Sequence, residues 1–306
     1  MVRRNFLSIA LISSFGILCR PISALNRFSA IRPKVKWGVA IITWKDEYLS
    51  AFEDLSKLNV KGIQIRGNVF EKYRSKPKEL VTILNKFQLK APILSGGNLP
   101  VDGSERQDVI DSFVSMADFV QKIGGKYLQV TTMARDAYPP GNDSLLKLSK
   151  SLNVIGELVK KKGVSLLLHN HMHQVCQNPN ELDFVLKNTN PDFVGLLLDV
   201  AHYTQAGGNP SEAILKYKDR LELLHIKDLL SPKPGYKGKL DYNYQFVELG
   251  KGNKINFVDL LSSLQKIKFR GWCMIELDSV PESNVTPIEA TKTSLDYLSK
   301  TFSYTF

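Results

Sequence analysis

Short apolar runs of strand character recur eight times along this chain, each followed by a polar stretch with helical periodicity, and that alternation restricts the fold more than any other feature. The runs occupy residues 37–44, 62–67, 92–98, 127–132, 165–171, 195–202, 223–228 and 273–278. Between them, Leu80, Ile83, Leu84 and Phe87 share one helical face, as do Phe113, Met116, Ala117 and Val120. Gly124-Gly125 and Gly163 stand where a helix has to stop before the next strand. Strand starts recur every 25 to 38 residues, with a longer interval before the eighth. Strands alternating with helices call for a parallel sheet, because parallel neighbours need a crossover, and eight such units predict an α/β fold closed as a (β/α)₈ barrel. At 306 residues and 43% hydrophobic content the chain fills one such domain and leaves no room for a second large one. From Ser231 to Asn253, Pro, Gly, Lys and Tyr replace helical periodicity, which predicts an extended loop over the barrel mouth.

Residues 1–24 read as a signal peptide. Arg3-Arg4-Asn5-Phe6-Leu7 precedes an apolar run to Cys19, followed by the small-residue stretch Ile22-Ser23-Ala24. Cleavage after Ala24 leaves the barrel as residues 25–306. Phe6 to Cys19 is 14 residues, short of the roughly 20 a spanning helix needs, so a removable signal is favoured and no stable membrane span is expected. The paired arginines ahead of Phe-Leu resemble a bacterial twin-arginine leader, which places the mature chain in the periplasm or otherwise outside the cytoplasm. Cys19 as a lipidated cysteine is the alternative, although Gly16-Ile17-Leu18 fits a lipobox poorly. Without Arg3, Arg4 and Arg20 the formal charge falls from +11 to +8. The remaining Lys and Arg are scattered among Asp and Glu, with no basic run interleaved with aromatics, which argues against a nucleic-acid partner. Cys176 and Cys273 lie among apolar residues and are expected to be buried free thiols.

Active sites of such barrels are built at the C-terminal ends of the strands. All five histidines fall there: His169, His171 and His173 after the fifth strand, His202 after the sixth, His225 at the seventh. Strands six, seven and eight also end in Asp199, Asp228 and Glu276. A lone strand histidine is usually a satisfied core residue, but this clustering is different. Burying several imidazoles and carboxylates at one end of an apolar barrel costs kilocalories per group unless a cation compensates them. Leu167, His169 and His171 share the inward face, and Asp199, His225 and Glu276 take equivalent terminal positions on the next strands. One or two imidazoles with two carboxylates suit one divalent ion, Mn²⁺, Zn²⁺, Co²⁺ or Fe²⁺, better than Ca²⁺. Whether His169 or His171 is the strand-five ligand stays open.

The stretches LLLHNHMHQ, GLLLDVAHYTQAGGNP, LLHIKD and WCMIELD resemble the xylose isomerase-like TIM barrel superfamily, which includes sugar phosphate isomerases and epimerases, inosose dehydratases and apurinic endonucleases. The resemblance covers most of the mature chain, and D-x-x-H and H-x-K-D are its most specific parts. It implies that Asp199, His225 and Glu276 bind the metal with His169, and that His202 contacts substrate oxygens. Ketose epimerases of this superfamily carry a glutamate ligand and base on strand five, where this chain has His169. A His-Asn-His variant occurs near the inosose dehydratases, usually with a glutamate three residues on, and here that place is Gln174. Strand two has Gln64 where many relatives have glutamate, followed by Arg66 and Asn68, which can hydrogen-bond a sugar.

The implied activity is a metal-dependent isomerase or epimerase, with a lyase as runner-up, acting through an enediolate on a keto- or polyhydroxylated carbohydrate. Inosose dehydratase-like and 3-keto-glycoside lyase chemistry are the lyase alternatives. Glu276 is the expected base, with His171 or His202 returning the proton. One glutamate base instead of two disfavours symmetrical epimerisation. Endonuclease activity is disfavoured because no histidine precedes His169 and Asp228 is followed by Leu-Leu-Ser. A non-catalytic carbohydrate-binding barrel is the reading of another class. Lys227 is a candidate substrate contact or general acid, against the plainer reading of a solvated partner of Asp228. Gly250-Lys251-Gly252-Asn253 reads as a phosphate cradle or as an ordinary turn. Trp44 reads as core packing or as a sugar platform.

Overall fold

The computed structural model describes residues 31–231, 244–281 and 284–306; the leader reading and much of the 231–253 stretch lie outside these residues. Strands β1 (Lys36–Ala40), β2 (Gly62–Ile65), β3 (Lys90–Leu99), β4 (Tyr127–Thr132), β5 (Ser165–His169), β6 (Val194–Asp199), β7 (Leu221–Ile226) and β10 (Trp272–Ile275) close into one parallel barrel. Each strand pairs with its neighbour in barrel order, and β10 closes the ring on β1. Helices such as Pro77–Lys86, Gln107–Lys122 and Asn142–Lys161 form the connections. Leu80 and Leu84 of the first, and Phe113, Met116, Ala117 and Val120 of the second, are buried, as their spacing predicts. Gly124 (φ 77°) and Gly163 (φ 75°) take the left-handed conformation that ends the preceding helix. Among the described residues no helix is long and apolar enough to cross a membrane.

Two shells of apolar side chains result from strand alternation. Outward-facing residues such as Leu166, Leu168, Leu196 and Leu198 pack beneath the helices. Inward-facing Ile93, Leu167, Leu197, Leu223 and Met274 form a separate cluster that fills the barrel, with Tyr127 and Trp272 packed against it. Small residues on β1 and β2 make room for the larger ones. A Cβ at Gly38 would lie 2.5 Å from Met274 Sδ and 2.7 Å from the Gly62 carbonyl oxygen, and one at Gly62 would lie 2.1 Å from the Trp272 ring. Cys176 and Cys273 are free and buried, and burial pushes both thiols up.

Several expectations are corrected here. The first run leaves the sheet at Ala40, and Ile41–Trp44 forms a 3₁₀ turn. Trp44 is buried, with Nε1 donating to Asp54 Oδ2 at 2.9 Å, so it packs in the core and offers no sugar platform. The stretch after the seventh strand contains an antiparallel pair, β8 (Asp228–Leu230) with β9 (Gln245–Val247), in addition to loop. Asp228 turns away from the barrel mouth. Its carboxylate accepts from the backbone N–H groups of Leu229 at 2.8 Å and of Gly250 and Gly252 at 3.0 Å each. The glycine pair therefore does cradle an anion, but the anion is the protein's own carboxylate.

Two stability predictions follow from these close approaches. Gly38→Ala is expected to cost about 1–3 kcal/mol by overpacking, whereas Gly97→Ala, with nothing within 4 Å, is expected to leave the urea midpoint nearly unchanged. Asp228→Ala is expected to cost about 1–3 kcal/mol and to speed hydrogen exchange at the Gly250 and Gly252 amides, which lose their acceptor.

Candidate functional site

Two residues beyond Leu167, Leu197, Leu223 and Met274, on the same inward face, stand His169, Asp199, His225 and Glu276. The apolar plug is thus capped by a polar layer, and all four residues are buried. One ligand-capable atom from each of His169, Asp199 and His225 lies within 4.8 Å of the other two. His169 Nδ1 and His225 Nδ1 are buried without a hydrogen bond, and the contact of the equally buried Asp199 Oδ2 is its ion pair with Lys227 Nζ. Leaving a buried polar atom unmade costs about 1–3 kcal/mol, and side chains offering ligand atoms around one point are the arrangement a cation relieves. His169, and not His171, joins this set. Glu276 Oε2 lies 3.1 Å from His225 Nδ1, beside the same point.

His225 and Asp199 are each held by neighbours on one side and turn the other side to the shared point. Gln64 Oε1 lies 2.7 Å from His225 Nε2; a carboxamide oxygen only accepts, so Nε2 carries a proton and Nδ1 is the ring nitrogen turned toward Asp199 and Glu276. Gln64 is fastened in turn by donating to Gln129 Oε1. Asp199 is the N-cap of helix Val200–Gln205, its Oδ1 accepting from the Ala201 and His202 amides at 2.9 Å each, which leaves Oδ2 to the interior. The capping geometry accounts for the aspartate of D-x-x-H, while the histidine contributes only its backbone amide to the cap. Asn170 clamps the Asp199 backbone, donating to its carbonyl at 3.1 Å and accepting from its amide at 2.9 Å.

Lys227 is fully buried. Its Nζ lies 2.7 Å from Glu276 Oε1 and 3.2 Å from both Asp199 Oδ2 and Asp278 Oδ1. Burial works to lower its pKa, but Asp199, then Asp278 and Glu276, outweigh it and hold the ammonium well above the usual lysine range. Burial likewise works to raise Asp199, and Lys227, followed by His202, outweighs it, so the carboxyl sits well below its ordinary value. For His169 burial dominates and pushes the ring well below the usual range, while His202 is pushed down to about 3. Both rings are therefore neutral. Asp199, Glu276 and Asp278 against Lys227 leave two formal negative charges among these four side chains, which one divalent cation balances.

Above this layer opens a cavity of about 240 Å³, lined among others by Arg66, Asn98, Thr131, His171, Gln174 and Glu276. His171 lies beyond the end of β5, with Nδ1 2.7 Å from the Met172 carbonyl oxygen. Nδ1 is therefore the donor and Nε2 keeps its lone pair. Burial, then Lys227, lowers the His171 pKa and keeps the ring neutral. Its ring centroid is 4.0 Å from that of His202.

Of the residues singled out in the sequence, Arg66, His171 and Glu276 line the cavity and His169, Asp199 and His225 converge beneath it. The other three take different places. Gln64 also borders the cavity but is 2% exposed and engaged with His225 and Gln129, which makes it a positioning residue before a substrate contact. His202 is buried behind His171, with Lys227 Nζ 3.4 Å from Nε2 and Gln205 Oε1 3.3 Å from Nδ1. Lys227 is no solvated partner of Asp228; alternation turns it inward to the acids while Asp228 faces the glycine cradle. Asn68 donates to Asp46 Oδ1 at 3.1 Å, away from the cavity. Asn170, Gln129 and Asp278 were missed. Asp278 follows Glu276 by two residues, so the same alternation carried the signal.

The model of the xylose isomerase-like TIM barrel family matches residues 52–301. An inosose dehydratase of Mesomycoplasma hyopneumoniae strain 7448 is 25% identical over 301 residues, spanning 88% of this chain and 97% of the relative. Among solved structures, a sugar phosphate isomerase/epimerase from Parabacteroides distasonis superposes with a TM-score of 0.68 at 19% identity, covering 88% of this chain and 95% of that one. The IOLI protein, solved with a bound zinc atom, superposes with a TM-score of 0.71 at 21% identity, covering 88% of this chain and 100% of its own. With the match to the family model spanning most of its length, the chain belongs to the xylose isomerase-like TIM barrel family.

Proposed function

We propose that this chain is a divalent-metal-dependent enzyme that removes the proton beside the carbonyl of a keto-sugar or cyclitol and expels water from the neighbouring carbon. The observation that carries the reading is the convergence of buried ligand-capable atoms of His169, Asp199 and His225, directly below a cavity bordered by a neutral imidazole, His171. His169, Asp199 and His225 hold the ion, with Glu276 beside them. A cation of the Mn²⁺, Zn²⁺, Co²⁺ or Fe²⁺ class held there would supply Lewis acidity to the substrate carbonyl.

The sequence favours Glu276 as the base, but its surroundings favour His171. Glu276 Oε1 is taken by Lys227 and Oε2 faces His225, whereas His171 Nε2 keeps a lone pair and the ring is held by the Met172 carbonyl. His171 takes the α-proton and then gives it to the departing β-hydroxyl, so one carbon–hydrogen and one carbon–oxygen bond break, a carbon–carbon double bond forms and water leaves. Arg66 and Asn98 line the wall where substrate hydroxyls sit. Elimination is preferred to isomerisation because a relative named inosose dehydratase aligns over nearly its whole length. Isomerisation, in which His171 returns the proton to the adjacent carbon, is the second reading, favoured by the sugar phosphate isomerase/epimerase likeness. Export through the twin-arginine-like leader belongs to the same proposal, since a folded protein crosses with its ion in place.

Incubation of the metal-loaded protein with keto-sugars and inososes in deuterated water is expected to place deuterium next to the carbonyl and to yield a product lighter by one water. A product of unchanged mass would select isomerisation, and no exchange with any of them would remove the enzymatic reading. Asp199→Asn and His225→Ala are each expected to strip the ion while leaving a folded barrel; unchanged metal stoichiometry by elemental analysis would take them out of the site. His171→Ala is expected to lower exchange by about 10²–10⁴-fold at full metal occupancy. Glu276→Gln should weaken metal binding while leaving exchange measurable at saturating ion, and the reverse pattern would return the base to Glu276.

A further inference from the structure

Lys227 is among the largest fully buried side chains and carries a charge. Its three donors meet three acids, Glu276, Asp199 and Asp278, and the ring of Phe246, from β9, lies 5.0 Å from Nζ. Two of those acids also face the candidate metal position. Asp199 Oδ2 is 3.6 Å and Glu276 Oε2 is 3.1 Å from His225 Nδ1. The lysine thus shares Asp199 Oδ2 with the ion site and takes the opposite oxygen of Glu276. Without either cation, buried carboxylates would face one another in a low-dielectric interior, where their repulsion is large.

We infer that Lys227 is a built-in stand-in for the metal: it holds Asp199 and Glu276 together before the ion arrives, and it weakens the ion's binding because both cations draw on the same carboxylates. The inference rests on the proposed metal site. Lys227 is a positioning residue here, acting on the acids and not on substrate. A purely structural lysine would stabilise the metal-free and metal-loaded protein alike; a stand-in matters most when the metal is absent.

The test compares wild type, Lys227→Met and Lys227→Arg by thermal unfolding in chelator and in saturating Zn²⁺ or Mn²⁺, with metal affinity from competition against a chromophoric chelator. Lys227→Met is expected to lower the metal-free melting temperature by roughly 10 °C. The loaded form should lose far less, so the metal-induced rise grows, and the ion should bind about tenfold tighter or more. Lys227→Arg should restore most of the metal-free stability. An equal loss with and without metal, or affinity unchanged or weaker in Lys227→Met, overturns the inference. If Lys227→Met does not accumulate folded, Lys227→Met with Asp278→Asn removes one charge of each sign and is expected to fold; no rescue overturns the electrostatic role. If wild type itself takes up no metal, the functional reading fails separately, and metal-free stability that Asp278→Asn does not restore in Lys227→Met then overturns the counter-ion role as well.

Discussion

Side chains two apart on a strand face the same way, and inside a closed ring of strands this rule turns four core positions into four site positions. Leu167, Leu197, Leu223 and Met274 fill the barrel, and the next inward residues on the same strands are His169, Asp199, His225 and Glu276. Three of these groups lie within their strands, and Glu276, the first residue after β10, is still tied by its amide to the Ile226 carbonyl at 3.1 Å. Their placement is as rigid as the strand pairing itself, in which Asp199 lies opposite His225 and Met274 opposite His225 on the other flank. The apolar layer below closes the barrel to water from underneath, so the polar layer sits in a medium where charge interactions are strong.

That medium sets the electrostatic logic. A neutral imidazole is cheap to bury when one nitrogen donates to a fixed acceptor, as His171 does to the Met172 carbonyl. Carboxylates are not cheap, and three of them meet around one ammonium. The surplus of negative charge among these side chains and the unpaired Nδ1 atoms of His169 and His225 fall at one place, the polar layer above the plug.

Much of this was legible in the chain. Period-two alternation in LLLHNH and GLLLD gave strand, inward face and site residue together, because each run is apolar on both faces up to its last polar position. Lys227 and Asp278 obeyed the same alternation, two residues past His225 and Glu276, yet lysine is so rarely buried that a solvated reading took precedence. The β8–β9 pair was hidden because strands of three residues leave no periodic trace. Asn170 escaped notice for a different reason. Its side chain fastens the backbone of a neighbouring strand, a contact that only the register between β5 and β6 creates.

Asp199 has one oxygen on the helix Val200–Gln205 and the other in the barrel. A single carboxylate is therefore both the first fastening of a helical turn and a wall of the inner chamber. Whatever tugs on the inner oxygen rotates the outer one against two amide protons, so the state of the chamber is written on the chemical shifts of the Ala201 and His202 amides. The loss of this side chain would be felt twice, once as a buried ammonium with one acid fewer and once as a frayed turn, which gives random drift few routes for discarding it without also loosening the fold.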